Sequence, residues 1–133
     1  MLDTSEVLIG LPEGDHVLPF NWRRADEEWT CAEADVRCGP WQGRLRVEFY
    51  SDELRTFGEE IRRLYKELRG TATLHPIEPH LTLKFTGNGR GEIEVDGVAQ
   101  SQFGMDTRLS FHFVIDQTFL PRIADGFCAH SVR

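Results

Sequence analysis

The sequence predicts an α+β fold, in which a mainly antiparallel sheet is packed by one long helix and a short C-terminal helix. In several short segments apolar residues alternate with polar ones, which is typical of strands that bury one face. In one longer segment the apolar residues recur at three- and four-residue steps, the spacing of an amphipathic helix. Turns and hairpins connect most of the strands, and such connections favour antiparallel pairing. With 133 residues, the whole chain, 1–133, is expected to form a single domain.

The beginning of the chain has the least regular pattern. Prolines and glycines interrupt it at short intervals, and only Val7 to Leu11 and Trp29 to Cys38 have the composition of strands. We therefore expect an irregular N-terminal part, 1–40, followed by a better patterned core, 41–127.

After residue 40 the pattern becomes clearer, first as a strand and then as a helix. Leu45, Val47 and Phe49 alternate with charged residues, as expected for a strand with one buried face. Ser51 is then expected to cap the N-terminus of the long helix, and Gly70 follows its end. The apolar positions of this helix are Leu54, Phe57, Ile61, Leu64 and Leu68.

A hairpin, a further strand and a short helix are predicted in the remainder. Alternating apolar residues on both sides of the glycine-rich segment 87–91 predict two strands joined by a turn. The segment 108–115 alternates most regularly, and a last helix is expected from about Thr118, with Pro121 in its first turn. The residues expected to be buried together are Leu54, Phe57, Ile61, Leu64, Phe85, Leu109, Phe111 and Phe113.

The charge of the chain limits the kinds of partner. Its formal net charge is -7, from 22 acidic and 15 basic residues. Nucleic-acid-binding proteins gain most of their affinity from Lys and Arg at phosphates, so nucleic acid is not expected as a partner, and an anionic membrane surface would repel this chain. An acidic surface instead attracts a basic protein partner. Acidity that serves solubility alone would produce the same balance.

The sequence favours a cytoplasmic location. The apolar stretch Val7 to Leu11 is far too short for a signal sequence or a membrane span. The three cysteines are an odd number without a Cys-x-x-Cys pair, which favours reduced thiols over disulfides or a thiolate metal site. We therefore expect a cytoplasmic protein that uses no cofactor.

No convincing catalytic constellation is found in the sequence. The glycine-rich segment 87–91 precedes a strand rather than a helix, which favours a hairpin turn over a phosphate loop. His75, Glu78 and His80 have the donor types for zinc or iron, but two prolines extend this segment, so no helical spacing aligns the donors. The serines lack the Gly-x-Ser-x-Gly elbow. The chain is therefore predicted not to be an enzyme and to hold no metal.

Two acidic clusters are the candidate partner-binding residues. The first, here called the acidic stripe, consists of Glu92, Glu94 and Asp96, which project from one face of their strand. A competing interpretation places Lys84 opposite Glu94, where a cross-strand ion pair would neutralise part of the stripe. The second cluster consists of Asp26, Glu27 and Glu28.

Several segments between Leu45 and about Phe127 form a recognisable set. They include Val47-Glu48-Phe49, Leu64-Tyr65, Glu78-Pro79, Leu81-Thr82-Leu83, Leu109-Ser110-Phe111-His112-Phe113, Asp116-Gln117-Thr118 and Leu120-Pro121. With this set the chain resembles the WapI-type immunity proteins of bacterial polymorphic, contact-dependent toxin systems. The resemblance implies a non-catalytic protein that binds and neutralises a toxin domain, and it implies no catalytic residues.

Two other interpretations stay open beside the resemblance. One is a small metal-dependent enzyme that uses the His75, Glu78 and His80 region, and the other is a homo-oligomeric scaffold module. For the segment Asp116-Gln117-Thr118 we expect a structural junction, in which Asp116 or Thr118 caps the last helix and Gln117 satisfies nearby backbone groups.

Overall fold

The computed structural model describes residues 6–100 and 107–131 of the chain. The elements in these residues are β1 (Ile9–Gly10), β2 (His16–Arg24), β3 (Trp29–Cys38), β4 (Trp41–Tyr50), α1 (Ser51–Glu67), β5 (Arg69–Leu74), β6 (Leu81–Asn88), β7 (Glu92–Gln100), β8 (Arg108–Asp116), a 3₁₀ turn (Gln117–Phe119) and α2 (Leu120–Ser131).

The strands form two four-stranded antiparallel sheets. The N-terminal sheet has the order β1-β2-β3-β4 and the C-terminal sheet has the order β5-β6-β7-β8, so each strand pairs with its neighbour in the sequence. Helix α1 connects the two sheets, and α2 follows the last strand. The predicted α+β class, with antiparallel strands, one long helix and a C-terminal helix, is confirmed. The strands are divided between two sheets rather than gathered in one.

The N-terminal part is more regular than the sequence predicts. Strand β3 has the predicted bounds, Trp29–Cys38, but the nine-residue strand β2 was not predicted. Proline has no N–H to donate to a neighbouring strand, so Pro19 is unexpected in β2, which pairs with β1 on one side and β3 on the other. The carbonyl of Pro19 accepts the Val7 N–H at 3.0 Å, and both backbone groups of a strand residue point to the same side. The missing N–H of Pro19 therefore lies on the side of the very short β1 and removes no bond to β3.

A bulge in β2 brings a partly buried aromatic side chain, Trp22, against the core. The β2–β3 register shifts between Phe20 and Arg23, and Asn21 has a φ of 57°, which asparagine tolerates better than most residues. The Trp22 ring stacks on the His130 ring of α2 with centroids 4.1 Å apart. It also lies 6.1 Å from the Phe49 ring of β4. The bulge thus joins the N-terminal sheet to the C-terminal helix.

Helix α1 begins one residue earlier than the sequence predicts. Tyr50, not Ser51, has the extended N-cap conformation, and its N–H donates to the Glu53 carboxylate at 2.8 Å. The predicted capping role of Ser51 is therefore wrong, because Ser51 is already the first helical residue. At the other end, Leu68 takes the left-handed conformation with a φ of 64° and donates its N–H to the Leu64 carbonyl at 2.7 Å. Leu68 thus ends the helix, ahead of Gly70.

One continuous apolar cluster connects both sheets and both helices. The Phe57 ring of α1 contacts the Phe85 ring of β6 and the Phe127 ring of α2, with centroids 5.3 and 5.0 Å apart. Seven of the eight predicted core residues are buried. Leu109 is the exception, since it is only half-buried at the edge of the cluster. Gly58 allows α1 and α2 to approach closely, because a side chain there would collide with the Cys128 sulfur.

The junction before α2 has the predicted structural role. The Asp116 carboxylate accepts the Thr118 N–H at 3.0 Å and the Thr118 hydroxyl at 2.6 Å, and these bonds lower the pKa of Asp116. Gln117 differs from the prediction, because its backbone N–H donates to the Gly91 carbonyl at 2.8 Å while its buried side-chain oxygen has no hydrogen-bond partner among the described residues. Asp116 caps the 3₁₀ turn, and α2 follows this turn directly and ends at Ser131.

All three cysteines are free thiols, as predicted. Burial raises the pKa of the Cys128 thiol above its ordinary value, so this thiol stays protonated at neutral pH. In the described part of the chain, neither helix has the length and apolar character needed to cross a membrane.

Candidate functional site

The acidic stripe lies on the outer face of the C-terminal sheet. Glu92, Glu94 and Asp96 are exposed, while Ile93 and Val95 between them are buried. Strand β7 lies between β6 and β8, so the stripe runs along the interior of the sheet rather than along an edge. The alternation of this strand therefore displays three carboxylates on one exposed face of the sheet.

The hairpin register differs from the one expected for Lys84. Lys84 lies opposite Asp96, and Glu94 lies opposite Thr86, so the predicted Lys84–Glu94 pair is wrong. The cause is the turn, which occupies residues 89–91 rather than 87–91. The Asn88 side-chain oxygen accepts the Arg90 N–H at 2.7 Å, and this bond lets Asn88 remain in the strand.

The three carboxylates of the stripe have different partners. Asp96 lies 2.9 Å from Nδ1 of His112, which is directly opposite on β8. Glu92 accepts a hydrogen bond from the neutral Asn88 amide at 3.2 Å. Among the described residues, Glu94 forms no ion pair, and Val114 and Thr86 lie opposite it. Glu92 and Glu94 therefore have no cationic partner among the described residues.

The outer face of the C-terminal sheet also gathers potential metal donors that the sequence did not indicate. One donor atom each from Glu94, Asp96 and His112 lies within 4.8 Å of the other two. Two carboxylates and an imidazole have the donor chemistry for a divalent cation. All three side chains are exposed, and His112 already faces Asp96 as an ion-pair partner. The alternation of 108–115 could have placed His112 outward, but only the register places it beside Asp96.

The region of His75, Glu78 and His80 does not form a comparable cluster in the described residues. His80 Nε2 lies 3.8 Å from a Glu78 carboxylate oxygen, and His75 is exposed on the other side of the buried Pro76. The predicted extended connection is wrong, because residues 77–80 bend and turn, with the His80 N–H donating to the Glu78 carbonyl at 2.8 Å. The three donors nevertheless do not converge in the described residues.

The second acidic cluster consists of two kinds of residue. Asp26 closes the β2–β3 loop, since its carboxylate accepts the N–H groups of Glu28 and Trp29 at 2.8 and 2.9 Å. Glu27 and Glu28 are exposed, and their carboxylates have no hydrogen-bond or ion-pair partner in the part of the chain that the structure describes. Asp26 is thus a loop-forming residue, and only Glu27 and Glu28 are available to a partner.

Glu27 and Glu28 form one wall of a cleft of about 470 Å³, here called the acidic cleft. Its other residues are Tyr50, Ser51, Asp52, Glu53, Arg55 and Ile77. The cleft joins the β2–β3 loop, the start of α1 and the β5–β6 connection. The sequence could not indicate it, because these three segments are far apart along the chain.

A more apolar groove of about 530 Å³ opens between the two sheets. Val36, Leu45 and Leu109 line it, and Trp41 at its mouth is 65% exposed. The position of Leu109 on this groove explains why this predicted core residue is only half-buried.

The outer face of the N-terminal sheet is charged as well, but its carboxylates are paired. Arg44 binds Asp35 through two hydrogen bonds of 2.6 and 3.2 Å, which raise the pKa of the Arg44 guanidinium. The same guanidinium lies 4.9 Å from the centre of the Phe20 ring. Glu33 accepts a hydrogen bond from the Asn21 amide at 3.0 Å, and Arg46 lies directly opposite it on β4.

Comparison with known proteins identifies the family of this chain. The sequence model of the immunity protein WapI-like family matches residues 10–129. No match was found among curated proteins. The match begins well before Leu45, so it includes the N-terminal sheet and the second acidic cluster as well as the better patterned part. The chain therefore belongs to the immunity protein WapI-like family.

Proposed function

We propose that this protein acts in the cytoplasm as a non-catalytic immunity protein, which binds a basic toxin domain and neutralises it. The observation that carries the proposal, beside family membership, is the acidic stripe on the C-terminal sheet. Glu92 and Glu94 are exposed carboxylates without a cationic partner among the described residues. A protein with a formal net charge of -7 that leaves such charges uncompensated suits a partner that supplies positive charge.

The geometry of the stripe supports recognition rather than catalysis. The stripe lies on an exposed sheet face, which a protein surface can cover. Exposed carboxylates accelerate the encounter with a basic surface, and they contribute more to the association rate than to the lifetime of the complex. Covering the active site of the toxin is then sufficient for neutralisation, and no reaction by this chain is required.

The experiment needs a candidate toxin domain, which would be sought among the genes that neighbour the gene of this protein. Titration calorimetry should show a stoichiometric complex, and co-expression should protect cells from the toxin. The double variant Glu92→Lys with Glu94→Lys should weaken the complex by about tenfold or more. The matched control, Glu59→Lys with Glu67→Lys, makes the same charge change on exposed positions of α1 and should bind like the wild type.

Two results would contradict the proposal. Absence of a complex with the wild-type protein would refute toxin binding itself. Equal loss of affinity in both double variants would show that net charge, and not the acidic stripe, governs binding.

A further inference from the structure

The acidic cleft is built and fixed by hydrogen bonds from three parts of the fold. The Ser51 N–H donates to the Glu28 carbonyl at 2.9 Å, which ties the start of α1 to the β2–β3 loop. The Glu53 carboxylate accepts the N–H groups of Tyr50 and Ile77, each at 2.8 Å. The walls of the cleft are therefore held in place before any ligand arrives, which lowers the entropic cost of binding.

A buried hydroxyl in the wall of this cleft lacks a partner. Ser51 is 6% exposed, and its Oγ has no hydrogen-bond partner in the structure. Buried polar groups are usually hydrogen-bonded, so the Ser51 hydroxyl has a hydrogen-bonding capacity that the described residues leave unused.

The charge of the cleft selects a cation. Its lining includes four carboxylates, from Glu27, Glu28, Asp52 and Glu53, and one guanidinium, from Arg55. Arg55 is bound to Asp52, and Glu53 is used by backbone N–H groups. The nearby Arg24 donates to the backbone carbonyls of Asp26 and Glu27. The carboxylates of Glu27 and Glu28 are thus left to meet a ligand.

A helix N-terminus ordinarily favours an anion, but that role is already filled here. Asp52 and Glu53 occupy the first turn of α1 and supply the negative charge that the helix dipole attracts. A further anion in the cleft would meet their repulsion, whereas a cation would be attracted to Glu27 and Glu28.

The apolar part of the cleft fits the stem of a long basic side chain. Ile77 is 64% exposed, and the Tyr50 ring is held against Trp29 with centroids 4.0 Å apart. Lysine and arginine carry a charged head on an aliphatic stem, and arginine also stacks on aromatic rings. We propose that the acidic cleft receives a lysine or arginine side chain of the toxin domain, with its head between Glu27 and Glu28 and within reach of the Ser51 hydroxyl.

This inference rests on the proposed function, and a test with a small probe separates the two. N-acetyl-arginine methylamide would be titrated into the ¹⁵N-labelled protein, with N-acetyl-citrulline methylamide as its neutral counterpart. The arginine probe should cause saturable shifts of the Glu28, Ser51 and Ile77 amides, with a dissociation constant on the order of millimolar. Citrulline should leave these amides largely unchanged.

Matched variants assign the effect to the cleft. Glu27→Gln with Glu28→Gln should abolish the shifts, and Ser51→Ala should weaken them. Glu92→Gln with Glu94→Gln, on the acidic stripe, should leave the shifts intact. The cleft variant should also bind the toxin domain at least about tenfold more weakly than the wild type.

Several outcomes would overturn this inference. Scattered shifts, equal shifts with citrulline, or shifts that persist in the cleft variant would show that the cleft does not bind a guanidinium. Unchanged toxin affinity in the cleft variant would show that the toxin domain does not use the cleft. Failure of the wild-type protein to bind the toxin refutes the proposed function, whereas these outcomes leave it standing.

Discussion

The outer faces of the two sheets both carry charged residues, but they satisfy those charges differently. On the N-terminal sheet Asp35 is held by Arg44 through two hydrogen bonds, and Glu33 lies directly opposite Arg46. On the C-terminal sheet Glu92 and Glu94 have no cationic partner among the described residues, and Asp96 is met by a histidine. Charge pairing stabilises the surface of one sheet, while the other keeps charge available to a partner. Composition alone does not distinguish these two cases.

The largest expected effect tests whether the inner and outer faces of the C-terminal sheet are correctly assigned. Phe111 is 6% exposed and lies across from Gly97, whereas its neighbour His112 is exposed. Phe111→Ala should lower the free energy of unfolding by about 3–5 kcal/mol, because it removes a buried aromatic ring. His112→Ala should change it by about 0.5 kcal/mol or less. Chemical denaturation measures both, and a loss below about 1 kcal/mol for Phe111→Ala would mean that the faces are reversed.

A second prediction concerns a carboxylate that shares the outer face with the acidic stripe but has a structural role. Asp116 lies opposite Glu92, and its carboxylate caps the turn before α2. Asp116→Ala should lower the melting temperature at neutral pH and leave toxin binding nearly unchanged. Lost binding with unchanged stability would place Asp116 in the contact surface instead.

The pH dependence of this effect has a defined sign. Because the folded pKa of Asp116 is lowered, its stabilisation is fully present above the unfolded pKa of about 3.9 and is lost as the pH falls through the folded value. The difference in melting temperature between wild type and Asp116→Ala should therefore shrink in strongly acidic buffer. A difference that stays constant between neutral pH and about pH 2 would contradict the cap.

The smallest effect is expected on the N-terminal sheet. Asp35→Asn removes one negative charge and leaves the exposed Arg44 without its carboxylate. Exposed ion pairs stabilise proteins only slightly, so the melting temperature should fall little, and the association rate with the toxin should stay close to that of the wild type. Stopped-flow kinetics checks the rate. If Asp35→Asn slowed association as much as Glu92→Lys with Glu94→Lys, the two sheet faces would not differ in their contribution to toxin capture.

The parts of the fold that the sequence predicts correctly are those fixed by local patterns. The bounds of β3, the apolar positions 54, 57, 61 and 64 of α1, and the alternation of β8 follow from periodicity alone. Strand β2 was missed because the tolerance of Pro19 depends on the shortness of a neighbouring strand. The Lys84 register was missed because the turn is shorter than expected, with the Arg90 N–H donating to the Asn88 side-chain oxygen.

For the candidate sites as well, local patterns predict some of the residues, and tertiary contacts determine the others. Alternation was enough to predict that Glu92, Glu94 and Asp96 share an exposed face. It could not show that His112 faces Asp96, or that Ser51 and Ile77 join Glu27 and Glu28 in one cleft, since those contacts depend on tertiary structure. The position of Asp26, three residues before Trp29, was the available signal for a loop-closing aspartate.

The central claim is that uncompensated carboxylates of the acidic stripe capture a basic toxin domain, and the salt dependence of association tests it most directly. For the wild type, the association rate should fall about tenfold or more between low and high salt, while the dissociation rate changes much less. Glu92→Lys with Glu94→Lys should associate slowly at low salt and lose most of this salt dependence. Glu59→Lys with Glu67→Lys should retain it. An association rate that is insensitive to salt in the wild type, or equally reduced in both double variants, would contradict capture by the acidic stripe.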